Sequence, residues 1–162
     1  MNIASVRLAQ PSDLDWILAL NTAFEHQLSV LDAAGLADLV ALSQATWVAG
    51  DEGAFLVILD QDAAYDSPNF RWFKQRYDRF LYVDRIAVSA SAQGQGLARA
   101  LYENLFAEAR AQEVKQVLAE VNKVPSNPTS DAFHAALGFE VVGEAHHADR
   151  GKTVRFMERL VA

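Results

Sequence analysis

Apolar positions along the chain change period several times, and each change marks a new element. Ile3 to Leu8 alternates as a strand does, and Pro11-Ser12-Asp13 then supplies turn and capping residues. Leu14, Ile17, Leu18, Ala19 and Phe24 recur at helical spacing, which predicts an amphipathic helix to about Glu25. A second helix is expected over Asp32 to Ser43, where Leu36, Leu39 and Val40 share a face. Thr46 to Ala49 and Ala54 to Leu59, joined by Gly50-Asp51-Glu52-Gly53, read as a hairpin. Twenty residues separate Leu59 from Phe80, too many for an ordinary bare connection. Ser67-Pro68 reads as an N-cap followed by proline at the first helical position, so a short helix is predicted over Pro68 to Tyr77.

Leu81 to Val88 is an apolar strand, followed by a polar turn from Ser89 to Gln93 and by Gly94-Gln95-Gly96-Leu97-Ala98 at the start of a helix. Leu97, Leu101 and Leu105 line one stripe of that helix, with Ala98, Phe106 and Ala109 beside it; Arg99, Glu103, Asn104, Glu108 and Arg110 face elsewhere. Gln116 to Val121 is a strand, and a strand–helix–strand connection of this size is normally parallel and right-handed. Lys123 to Ser130, with two prolines, is a loop into a helix over Ser130 to Leu137 that Gly138 ends. Phe139 to His146 and Thr153 to Val161 form a closing antiparallel hairpin, and Trp16 and Trp47 are expected in the core.

Composition narrows the class. A length of 162 residues fits one domain over 1–162, and 51% hydrophobic with 22% charged residues is ordinary for a globular protein. The longest apolar run, Ala54 to Leu59, is too short to cross a bilayer, and Met1 to Leu8 lacks a basic region followed by an apolar one. A cytoplasmic location without a membrane partner is therefore expected. The absence of cysteine excludes disulfides, cysteine nucleophiles and thiolate metal sites. His146-His147 has no further ligands at suitable spacing, so no metal is expected and the pair reads as solvent-exposed strand-end residues. The net charge of −7 argues against nucleic acid as the main ligand and is compatible with a cationic substrate such as an amine.

The segment Phe80 to Ala111 carries the chemistry. A strand that stops, a loop with two glycines and a helix beginning there suit a phosphate-bearing ligand, because glycine lets the backbone approach and first-turn N–H groups lack partners within the helix. A P-loop is excluded because Gly-Lys-Ser/Thr is absent. A dinucleotide fingerprint fits poorly, although Glu120 on the next strand could imitate its ribose-binding acid. Five residues separate Val88 from Gly94, Arg99 occupies the third glycine position, and the unit lies mid-chain after three strands. A coenzyme A site is the remaining reading.

Here the residues resemble a known family. Gln93-Gly94-Gln95-Gly96-Leu97-Ala98 is similar to the pyrophosphate-binding motif of GNAT superfamily acyltransferases, Gln/Arg-x-x-Gly-x-Gly/Ala. Ile86-Ala87-Val88 resembles that family's fourth strand, and Asn127-x-x-Ser130-x-x-Phe133-His134-x-x-x-Gly138-Phe139 resembles its second motif. The segment from Tyr65-Asp66-Ser67-Pro68-Asn69-Phe70 through Asp84-Arg85-Ile86 looks like an uncharacterised bacterial branch of it. The resemblance implies an α/β (α+β) fold: a mixed, mostly antiparallel sheet of about seven strands with a central parallel pair, and helices on both faces.

It also implies acetyl-CoA or coenzyme A as cofactor. Ile86, Ala87 and Val88 would contact the pantetheine and acyl end, a backbone N–H there stabilising the oxyanion. Gln93, Gly94, Gln95, Gly96, Leu97, Ala98 and Arg99 would hold the pyrophosphate, and Asn127 and Phe133 would adjoin the cofactor arm. His134 stands where family members often carry a tyrosine general acid; imidazole could donate or accept a proton, and packing over the cofactor is its alternative. Asp84 interrupts the apolar strand and, sharing a face with Tyr82 and Ile86 opposite Arg85, is a candidate base or a structural ion pair. Glu120 is expected to be solvated. Asn21, Glu25, Tyr65, Asp66, Asn69 and Arg76 occupy the region where family members bind the acceptor, whereas Phe70 and Phe73 are expected to pack.

The expected activity is N-acetyl transfer to a primary amine of a small molecule by direct attack in a ternary complex, since no cysteine is available for an acyl-enzyme. Acetylation of a protein N-terminus and non-catalytic acyl-CoA sensing are the alternatives, and a homodimer is admissible.

Overall fold

Short polar side chains and prolines decide where the helices start. The computed structural model describes residues 5–25, 27–124 and 127–161; Ile3 and Ala4 of the expected first strand and Pro125-Ser126 of the expected loop lie outside them. The first strand is β1 (Val6–Leu8), and α1 covers Leu14–Ala23. In α2 (Ala33–Leu42) the Asp32 carboxylate accepts the Gly35 N–H at 2.7 Å. The hairpin is β2 (Ala45–Ala49) and β3 (Ala54–Asp60). Ser67 caps α3 (Pro68–Lys74), which stops short of Tyr77; that ring lies 6.3 Å from Phe73. Asn127 caps Ser130 at 3.3 Å, so α5 (Pro128–Ala136) begins at the proline, before the position its apolar spacing suggested. Between α3 and α5 come β4 (Leu81–Val88), α4 (Leu97–Ala111) and β5 (Gln116–Val124). The chain closes with β6 (Glu140–His147) and β7 (Lys152–Leu160).

Among the described residues, seven strands form one sheet in the order β1-β2-β3-β4-β5-β7-β6. Every pairing is antiparallel except β4 with β5, which run parallel. One face carries α1, α2 and α3. There Ile17, Leu20, Leu36 and Leu39 pack on Val48, Phe55, Val57 and Ala87, while Phe70 and Phe73 pack on Tyr82, Leu118, Val154 and Phe156. The other face carries α4 and α5: Leu97, Leu101, Leu105, Leu137 and Phe139 cover Leu56, Ile58, Val83, Val117 and Ala119. Trp47 is buried as expected; Trp16 sits at the margin, its indole N–H donating to Asp13 at 2.9 Å. Among the described residues no helix is long and apolar enough to cross a membrane.

Two irregularities open this sheet. The parallel pair is matched only at Leu81–Val117 and Tyr82–Leu118; beyond them β4 and β5 diverge. In addition, Val57 faces Arg85 while the next residue, Ile58, faces Val83, which leaves Asp84 as an extra residue in β4. That bulge reverses the alternation. Tyr82 lies on the α3 face, but after the bulge Arg85 and Ala87 take that face and Ile86 turns toward α4. The expectation that Asp84 shares a face with both Tyr82 and Ile86, opposite Arg85, is therefore corrected: strict period two does not survive an inserted residue.

Candidate active site

The divergence of β4 and β5 opens a through-going cleft of about 1090 Å³. Its lining includes Ile86, Ala87, Val88, Gln93, Gly94, Gly96, Leu97, Ala98, Arg99, Asn127 and Phe133. Eleven of the twelve expected cofactor residues are thereby brought together, and Gln95 is exposed beside them. Gly94 and Gly96 have φ of +81° and +77°, and open space lies where a Cβ would project. Gly96 is the N-cap of α4 and offers no capping side chain, so the first-turn N–H groups and the positive end of the helix dipole face the loop. Exposed glycines, left-handed backbone and free amides together make a cradle for a diphosphate. Past Tyr82, the edge of β4 that faces β5 carries peptide groups without a strand partner on that side.

Glu120 sits in the fork on β5. Tyr82 donates its phenol proton to the carboxyl group, with O···O distances of 2.7 and 2.8 Å, and the Asn69 amide donates at 3.1 Å. The Asn69 carbonyl oxygen in turn accepts from His147 Nε2 at 2.8 Å. One network thus ties α3, β4, β5 and β6 around a single carboxyl. Burial pushes Glu120 up to about 8, the negative charge of Asp84 adds to that, and the hydrogen bonds from Tyr82 and Asn69 pull the other way. The solvated position expected for Glu120 is corrected, as is that of His147, which is half-buried and lines the cleft. Neither side chain has a sequence signal beyond its residue type, because the contacts that define the site cross four elements.

Asp84 also lines the cleft, but its carboxylate is taken up by Arg85 Nε at 2.7 Å, both side chains being almost fully buried. Arg85 Nη1 donates to Asn21 Oδ1 at 2.9 Å and the Ser29 carbonyl at 3.1 Å, and Nη2 donates to Ser29 Oγ at 2.6 Å. Arg85 thus anchors the segment after α1 to β4. Burial and the adjacent Asp84 carboxylate hold the Tyr65 phenol well above its ordinary range.

His134 is buried against Tyr102 of α4. Its Nδ1 donates to the Ser130 carbonyl at 2.8 Å, so Nε2 accepts the Tyr102 hydroxyl at 2.7 Å. Burial lowers its proton affinity, which keeps this neutral tautomer.

Of the expected acceptor residues, Glu25, Tyr65 and Asn69 line the cleft and three do not. Asn21 is fully buried, its amide N–H donating to the Ser29 carbonyl at 3.1 Å. Asp66 pairs with Arg71 at the surface. Arg76 stacks on Trp72, 3.8 Å from the ring centroid, and donates to the Trp72 carbonyl. Asp66 and Arg76 find their partners outside the cleft, whereas those of Asn21, Ser29 and Arg85, line it.

The sequence pattern of the Acetyltransferase (GNAT) family matches residues 37–139, and the chain belongs to that family. No curated protein matches it in sequence. Its fold is similar to the ribosomal-protein-S18-alanine N-acetyltransferase of Escherichia coli, with a TM-score of 0.73, 17% identity and coverage of 99% of this chain and 95% of that one. Ard1 of Thermoplasma volcanium gives a TM-score of 0.78 at 17% identity over 98% of each chain. The putative acetyltransferase yncA of Salmonella typhimurium, solved with its cofactor acetyl-CoA, gives 0.70 at 20% identity over 99% of this chain and 95% of that one.

Proposed function

We propose that this protein transfers an acetyl group from acetyl-CoA to a primary amine of a small molecule, the amine attacking directly in a ternary complex. The observation that carries the reading is the fork between β4 and β5 with Glu120 at its floor. Acetyl-CoA, when bound, supplies the acetyl group as a thioester whose carbonyl carbon is open to a neutral amine.

Gln93 to Arg99 hold the diphosphate through backbone amides, and Ile86 to Val88 with Asn127 and Phe133 flank the arm. The acceptor enters from the α3 face, past Glu25, Tyr65 and Asn69. An amine reaches the protein as an ammonium ion and must lose a proton before it attacks. Glu120, titrating near 8, takes that proton at its carboxylate, with Tyr82 and Asn69 orienting the group. Asp84 supports the site through its ion pair with Arg85. His134 keeps Tyr102 and the cofactor-side wall in place.

A second reading is acetylation of a protein N-terminus. It is favoured by the burial of Phe70 and Phe73 in the core, which leaves Tyr65 as the aromatic of that segment at the cleft. Thiol release from acetyl-CoA, measured across small amines, amino acids and short peptides, tests all of this. Turnover of small amines supports the first reading, turnover of peptides alone supports the second, and coenzyme binding without thiol release makes the protein a sensor.

A further inference from the structure

We propose that the acceptor amine carries a carboxylate, held by Lys152 and Arg150 at the mouth of the chamber that Glu120 floors. This rests on the reading of that chamber as the acceptor site. Lys152, Val154 and Phe156 alternate onto the α3 face, the same face as Glu120. Lys152 pairs in register with His147, whose ring donates to Asn69, and Asn69 donates to Glu120. The cation therefore stands one strand from the network that orients the base. Arg150 lies on the turn just before β7 and lines the same cavity.

These two cations are unspent. The other cations of the cleft wall, Arg85 and Arg99, pair with Asp84 and Glu103. Among the described residues Lys152 makes no ion pair, although it is partly buried, and Arg150 has only a loose 3.9 Å approach to its neighbour Asp149. In a chain of net charge −7, Lys152 and Arg150 place positive charge on one stretch of a cavity wall that carries Glu25 elsewhere. That stretch disfavours a second ammonium group, such as the far end of a polyamine. It suits a molecule that is ammonium at one end and carboxylate at the other: the ammonium end gives its proton to Glu120, and the carboxylate lies against Lys152 and Arg150. A free amino acid and the acidic N-terminal residue of a peptide offer the same chemistry.

The test compares alanine with alaninamide, and a peptide beginning with aspartate with one beginning with asparagine, at saturating acetyl-CoA. The carboxylate acceptor of at least one pair is expected to be preferred in kcat/KM by about tenfold or more. The responding pair identifies free amino acid or peptide as the source. In Arg150→Met/Lys152→Met, which keeps much of the aliphatic stems, that ratio is expected to fall to about one. A ratio near one in the parent, or an unchanged ratio in the variant, overturns the proposal. So does a weakened affinity of the variant for acetyl-CoA by calorimetry, which would place the cations on the cofactor. If no acceptor releases thiol, transfer itself fails. Calorimetry with coenzyme A and N-acetylalanine or its amide then still reads the mouth: carboxylate-dependent binding lost in the variant supports the anion site, and equal binding of both removes it.

Discussion

Glu120 shows how one carboxyl acquires an environment its residue type does not announce. Desolvation in the fork penalises its charged form, and only partial compensation comes from Tyr82 and Asn69. With Glu120 as base, kcat/KM for the amine rises with pH toward a plateau above about 8. Glu120→Gln is expected to lower kcat by about a hundredfold or more and to remove that limb, with little change in acetyl-CoA affinity. The stability consequence has a definite sign. The folded carboxyl titrates above its unfolded value, so its contribution is complete below about pH 4.5 and is lost as pH rises through about 8. The stability of Glu120→Gln relative to the parent should therefore increase across that window in denaturant titrations, and a flat difference would contradict the assignment. His134 has the opposite sign: its buried neutral ring contributes stability above about pH 6.5 that fades as pH falls.

Between elements, the bulge in β4 does the positioning. Because Asp84 is an extra residue, Arg85 turns toward α1 and its fork reaches Asn21 and Ser29 while Nε stays on Asp84. A single guanidinium thus fixes one wall of the cleft. Arg85→Lys keeps the charge but cannot serve four acceptors in a plane. The expected result is a loss of about 1–3 kcal/mol of stability and a raised acceptor KM, with acetyl-CoA affinity nearly unchanged. Faster hydrogen exchange over residues 27–31 would locate the effect. At the other wall, Gly96 adopts φ of +77°, which a β-branched side chain strongly disfavours. Gly96→Val should therefore reshape the loop and weaken coenzyme A binding by about tenfold or more while the sheet persists.

Across the whole molecule, the fork divides the sheet into β1–β4 and β5–β7, held to each other in the sheet by two matched residue pairs. A ligand lying in the fork touches both parts and binds only when they are assembled. Coenzyme A at a hundred times its Kd should then raise stability by about 2.7 kcal/mol, seen as a concentration-dependent rise in Tm that is reduced in Gly96→Val. Protection of β4 and β5 amides should grow with it. An unchanged Tm in the parent at saturating coenzyme would contradict a ligand site in the fork.

The periodicity of apolar residues, the capping pair Ser67-Pro68 and the glycines at 94 and 96 were enough to reveal the element order, the mixed sheet and the glycine loop before α4. Each of these is a local property: side-chain direction repeats within an element, caps act over three residues, and positive φ is a choice of single residues. The chamber beside that loop was not legible in this way. The inserted residue at Asp84 inverts every later side chain of β4 without any mark in composition, and the proton affinity of Glu120 depends on Tyr82, Asn69 and Asp84, residues 36 to 51 positions away. Long-range packing alone brings those groups within hydrogen-bonding distance and excludes the water that would otherwise leave Glu120 an ordinary surface acid.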